Sequence, residues 1–118
     1  MQQPDIQPGQ VWVPEACTLP TVAQPLRAAQ FDQLFAGTLR GMERPQPTRL
    51  RLDLQPSPQV AGRAAELAAA ETECCAFFTF TLTAAGGVLT LDITVPRTQT
   101  AVLDALAGRA SAALGQTG

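Results

Sequence analysis

The chain has 118 residues, enough to bury the core of one domain and too few for two. Hydrophobic residues make up 46% and charged residues 15%, which argues against a disordered chain, and a formal charge of −2 supplies no basic field for nucleic acid or an anionic membrane surface. His, Lys and Tyr are absent, so a Ser–His–Asp or Cys–His apparatus, a Schiff-base lysine and a histidine metal cage are all excluded within one chain.

The first residues, MQQPDIQPGQVWVPEAC, contain neither a basic stretch nor an apolar one of signal-peptide kind, and no later apolar run reaches membrane-spanning length. A cytoplasmic protein with reduced thiols is expected. In that setting three cysteines point to reactivity or a thiophilic ligand more than to a disulfide scaffold. Residues 1–25 carry Pro4, Pro8, Pro14, Pro20 and Pro25 among many glutamines, which predicts an irregular arm, with Val11–Val13 as a short edge strand or Trp12 as a surface plug. The domain proper is expected over residues 26–115.

Within that domain, Leu26 to Arg40 places Phe31, Leu34, Phe35 and Leu39 at helical spacing, predicting a first helix that ends near Gly41. The PQPT stretch then breaks the chain. In RLRLDL, Leu50, Leu52 and Leu54 alternate with Arg49, Arg51 and Asp53, the pattern of a half-buried strand whose arginines share a solvated face. Ser57 followed by Pro58 signals a helix start, and that Ala-rich helix should reach about Cys74 with Val60, Ala64, Leu67, Ala68 and Glu71 on one side. Two alternating stretches, Phe78 to Thr83 and Leu89 to Val95, flank AAGG and predict a hairpin. A last helix follows Pro96, with Val102, Leu103, Leu106, Ala110 and Leu114 inward. The expected fold is an α+β two-layer sandwich: a mainly antiparallel sheet of three or four strands, covered on one face by about three helices. Asp53 and Asp92 would project from the polar face, as a carboxylate pair or as solvated side chains. That wet face, or an unpaired sheet edge, could support a homodimer.

The chemistry concentrates in ETECCAFFTF, residues 71–80. If the second helix reaches Cys75, then Leu67, Glu71, Cys74 and Cys75 lie at i, i+4, i+7 and i+8 and share a face, so Glu71 and at least one cysteine turn toward the sheet. An inward carboxylate costs several kcal/mol unless it is paired, protonated or liganded. Two soft sulfurs with an oxygen from Glu71 or Glu73 suit Hg(II), As(III), Cu(I) or Zn(II). On a continuing helix the two sulfurs would diverge by roughly 100°, so the site needs a bend at the pair. Cys17, beside Glu15, is the only candidate for a third sulfur. No organic cofactor is indicated; the expected partner is a metal ion or a small thiol-reactive ligand.

A thiol enzyme uses the same residues differently, with Cys17 attacking and Cys74 or Cys75 resolving. Without His or Lys nearby, and with Glu71 and Glu73 raising a thiol pKa, this ranks below metal binding. Free cysteine also packs as a small hydrophobe, which would make the pair part of an interaction module's core.

The stretches PLRAAQFDQLFAGTLRGMERPQPTRLRLDL, LAAAETECCAFFTFTL and LTLDITVP resemble a family of short, uncharacterised bacterial proteins, with Glu71-x-Glu73-Cys74-Cys75-x-Phe77-Phe78-x-Phe80 as the most specific element. The resemblance, which spans Cys17 to Arg109, implies an association with metal-responsive genes. A fainter similarity links Cys17, Cys74 or Cys75 and Glu71 or Glu73 to organomercurial lyase cores, and implies a mercury site of two cysteines and a carboxylate.

Overall fold

The computed structural model describes residues 24–117. The expected irregular arm, with Val11–Val13 and Cys17, lies outside the described residues, apart from Gln24 and Pro25 at the start of the first helix. In chain order the elements are α1 (Gln24–Phe35), β1 (Leu39–Gln46), β2 (Arg49–Leu54), α2 (Pro58–Cys74), β3 (Thr79–Ala85), β4 (Val88–Thr94) and α3 (Thr100–Thr117), the last preceded by a 3-10 turn at Arg97–Gln99. The four strands lie in the order β1-β2-β4-β3, and every neighbouring pair is antiparallel. The fold is therefore α+β, as the alternating strands and intervening helices predict.

Side-chain alternation decides which sheet face is buried. Leu50, Leu52 and Leu54 of β2 stand opposite Ile93, Leu91 and Leu89 of β4, and all six are buried. Phe80 and Leu82 of β3 continue this apolar face beyond β4, and Met42 of β1 extends it beyond β2. Helix α3 packs over β1 and β2, α2 packs against β3, and α1 touches both helices. One ion pair links sheet to helix, Arg44 of β1 to Asp104 of α3, and another joins two helices, Arg109 of α3 to Asp32 of α1, each at 2.7 Å.

Helix α1 stops earlier than the apolar spacing suggests. It ends at Phe35 rather than near Gly41, because Gly37 adopts φ +75° and turns the chain out of the helix. The Thr38 amide then donates to the Phe35 carbonyl at 3.2 Å, and the Thr38 hydroxyl to the Leu34 carbonyl. Leu39 is still buried, but as the first residue of a strand that the sequence pattern does not announce. Strand β1 departs from regular pairing between Leu39 and Gly41 and again between Glu43 and Gln46, so its side chains never show a clean period of two. Of the PQPT break, Pro45 and Gln46 end β1, and only Pro47 and Thr48 connect it to β2, with Gln46 opposite Arg49.

Helix α2 begins as its sequence dictates. Ser57 has extended backbone angles, φ −125° and ψ 150°, and its hydroxyl accepts the Val60 amide hydrogen at 3.2 Å, while Pro58 occupies the first turn, where it forgoes no helical bond. Ser57→Ala should lower stability by about 1 kcal/mol, read as a lower urea midpoint with an unchanged slope. The β3–β4 connection is the two-residue turn Gly86–Gly87. Both glycines have positive φ, +59° and +78°, as a turn that matches the strand twist requires.

On the polar face, cross-strand neighbours neutralise one another. Asp92 of β4 accepts from Arg49 at 3.1 Å and Arg51 at 3.3 Å, and Arg51 also reaches Glu43 of β1 at 3.4 Å. Asp53 and Asp92 are on neighbouring strands but do not form a carboxylate pair. Asp92 stands opposite Arg51 and Asp53 opposite Thr90, so the arginines take the aspartate instead.

Candidate functional site

The candidate site lies where α2 hands over to β3. Along α2 the buried residues are Val60, Ala64, Leu67 and Glu71, a sequence of i+4, i+3 and i+4 steps that keeps one stripe against the sheet. Ala68 is half-buried beside that stripe. Glu71 is thus carried inward, with 1% of its surface exposed. Burying a carboxylate is costly, so its position on this stripe is a chemical feature of the junction and not a surface accident.

The helix ends between the two cysteines. Cys74 is the last helical residue and Cys75 adopts φ −127°, ψ 89°, outside the helical region, while its amide still donates to the Glu71 carbonyl at 2.7 Å. The Phe78 amide then donates to the Cys75 carbonyl at 3.2 Å, closing a turn over Ala76 and Phe77 before β3 starts. Cys75 and Glu71 are therefore both in the interior, one on each side of the helix end. Cys74 is half-buried, and Glu73 faces outward.

The two cysteines differ in oxidation state. Cys75, fully buried, is disulfide-bonded, whereas Cys74 carries a thiol. This departs from the expectation of reduced thiols throughout. Cys17, the third cysteine of the sequence, lies outside the described residues. Among the described residues, no group of three His, Cys, Asp or Glu side chains is placed to hold a metal ion. Glu71, Cys74 and Cys75 follow one another along the last turn of α2 and its cap, the first and last buried and Cys74 half-buried, while Glu73 is exposed.

Aromatic packing explains the rest of the stretch. All five phenylalanines of the protein form one chain of ring contacts. Phe35 and Phe31 of α1 lie 6.0 Å apart, Phe31 stacks on Phe80 at 6.5 Å, Phe80 meets Phe78 at 5.3 Å, and Phe78 meets Phe77 at 4.7 Å. These are favourable aromatic separations, and they tie the cysteine junction to α1 through the core. The phenylalanines of the CCAFF stretch are core residues rather than a platform for a ligand.

Two surface grooves border α2. One, about 320 Å³, runs between α1 and α2 and is lined by Gln30, Gln33, Arg63 and Glu66. The other, about 390 Å³, lies between the start of α2 and the β3–β4 turn, lined by Pro56, Ala61, Ala84 and Val88. Neither has a cysteine in its lining, and the Ser57 hydroxyl at the second is the cap of α2. No helix among the described residues is long and apolar enough to cross a membrane. Comparison with protein-family models, curated proteins and solved structures finds no match.

Proposed function

We propose that this protein binds a thiophilic metal or metalloid ion, of the Hg(II), As(III), Cu(I) or Zn(II) class, through the reduced thiols of Cys74 and Cys75. The observation that carries this reading is the end of α2 between the two residues, where the backbone at Cys75 leaves the helix. A continuing helix would set their side chains roughly 100° apart around its axis; the bend removes that constraint. Two soft sulfurs select soft ions, and Glu71 is the nearest carboxylate on the same inward stripe. Cys17 is the third sulfur and Glu73 a second oxygen source in this reading. A protein of this kind would serve sequestration, delivery or detoxification, in keeping with the resemblance of the Glu-x-Glu-Cys-Cys stretch to proteins associated with metal-responsive genes.

The test is titration of the fully reduced chain with Hg(II), arsenite, Cu(I) and Zn(II), followed by thiolate charge-transfer absorption and by native mass. One ion bound per chain, held against competing small thiols, is the expected result. Binding no tighter than that of glutathione would remove the ion and leave the cysteines as packing.

The disulfide at Cys75 favours a second reading, thiol–disulfide exchange with Cys74 as the neighbouring thiol. Its signature would be peroxide or disulfide reduction faster than free cysteine achieves. The sequence holds no histidine or lysine that could activate the thiol, which works against it.

A further inference from the structure

We infer that two copies of this chain join edge to edge through β3, antiparallel about a two-fold axis at Leu82, so that their sheets become one. The two edges of the sheet differ in kind. Strand β1, at one edge, carries Arg40, Glu43, Arg44 and Pro45 and is interrupted by irregular pairing, the devices by which proteins keep an edge from pairing further. Strand β3, at the other, has none of them: TFTLTAA holds no charge and no proline, and its pairing with β4 runs without a shift from Thr79 to Ala85. Among the described residues, no strand lies beyond it.

The backbone fixes which groups face outward. Ala85 and Val88 flank the Gly86–Gly87 turn, and the pair that closes a two-residue turn exchanges both of its hydrogen bonds. By alternation, Thr83, Thr81 and Thr79 also direct their backbone groups to β4, which leaves the amides and carbonyls of Phe80, Leu82 and Ala84 at the edge. An antiparallel copy centred on Leu82 presents the same groups in return. Phe80 then stands opposite Ala84 of the second copy, Leu82 opposite its own equivalent, and Thr81 opposite Thr83 of the second copy. Every pair is neutral, and the largest side chain of the strand meets one of the smallest, as packing across a seam requires. A second copy is the occupant that this edge fits.

Helix α2 supports the same partner. Its side toward α1 holds Arg63, Glu66 and Ala70, which line the groove between those two helices. The opposite side, toward the β3–β4 turn, begins at Ala61, and helical spacing continues it through Ala65, Ala68 and Thr72. None of these is large or charged. A two-fold axis perpendicular to the sheet keeps both helix layers on one face and sets the two α2 helices side by side along these residues, where small side chains let the backbones approach. The contact is isologous and closes at two copies, because the β1 edge of each is guarded.

The experiment measures mass and amide protection of the full chain. Sedimentation over a dilution series should give twice the 12.4 kDa of one chain at the concentrated end. Thr81→Lys combined with Thr83→Lys sets lysine opposite lysine in this register and should be monomeric throughout, with circular dichroism to establish that it is folded. Hydrogen exchange at the Phe80, Leu82 and Ala84 amides should be slow in the wild type and fast in that variant. Thr81→Glu combined with Thr83→Glu should also be monomeric, and an equal mixture of the two variants should recover the doubled mass, which misfolded chains could not do. A monomeric wild type overturns the proposal, whether its edge amides exchange fast or are held by a segment of the same chain. A dimer whose edge amides stay fast forms through another face and overturns it too, as does a lysine variant that remains dimeric. Folded variants whose mixture stays monomeric overturn the register. Should the variants fail to fold, the mass and exchange of the wild type still decide.

Discussion

Cys75→Ser is expected to weaken phenylarsine oxide binding by the reduced chain at least about a hundredfold, because a hydroxyl in place of one sulfur removes the second soft donor. It should also destabilise the unreduced protein, by about 2–4 kcal/mol, since the cross-link at Cys75 disappears. Cys74→Ser separates these effects. Its affinity loss should be as large, but its unfolding free energy should change by less than about 1 kcal/mol, because a half-buried thiol outside the disulfide carries little stability. Competition titration and urea unfolding, with and without reductant, measure both. A Cys75→Ser protein that retains wild-type affinity would show that the sulfur is packing alone.

Phe35→Ala should lower the unfolding free energy by about 3–5 kcal/mol, one of the largest effects available from a single truncation in this core. Phe35 is completely buried at the end of α1 and packs on Phe31, which in turn stacks on Phe80 of β3. Its removal opens a cavity where helix and sheet meet, and neighbours already locked in the aromatic chain have little freedom to fill it. Small domains are stable by about 5–15 kcal/mol, so the variant should lie near its unfolding midpoint at low urea. Val88→Ala is the control: Val88 is 53% exposed, and its truncation should move stability by no more than about 0.5 kcal/mol. A Phe35→Ala cost below about 1 kcal/mol would mean that α1 is not integral to the core.

The elements whose signals are local were legible from residues alone. Ser57 before Pro58, and the i+4, i+3 and i+4 steps from Val60 to Glu71, define α2 with its cap and its buried stripe. Alternating leucines define β2, and two adjacent glycines define the β3–β4 turn. Each signal involves residues within one helical turn or one strand step of another. Strand β1 escaped for the same reason. Leu39 fits the end of a helical stripe as well as the start of a strand, and the irregularities at Gly41 and after Glu43 erase the period of two that would have separated these options. The sequence reading stopped the first helix near Gly41; the positive φ at Gly37 is where the chain turned.

The site divides along the same line. By itself the sequence determined that Glu71 turns inward, that the cysteines sit at a helix-to-strand junction, and that histidine and lysine chemistry is excluded. The end of α2 at about Cys74 was legible as well, whereas tertiary structure alone decided that Asp92 is taken by Arg49 and Arg51 rather than by Asp53, and that Cys75 is oxidised while Cys74 is not. Local periodicity records which face of a helix or strand is buried, because that depends on spacing along the chain. Which strand lies beside which, and which sulfur meets which, depends on closing loops between residues far apart in the chain, and spacing along one element carries no record of that.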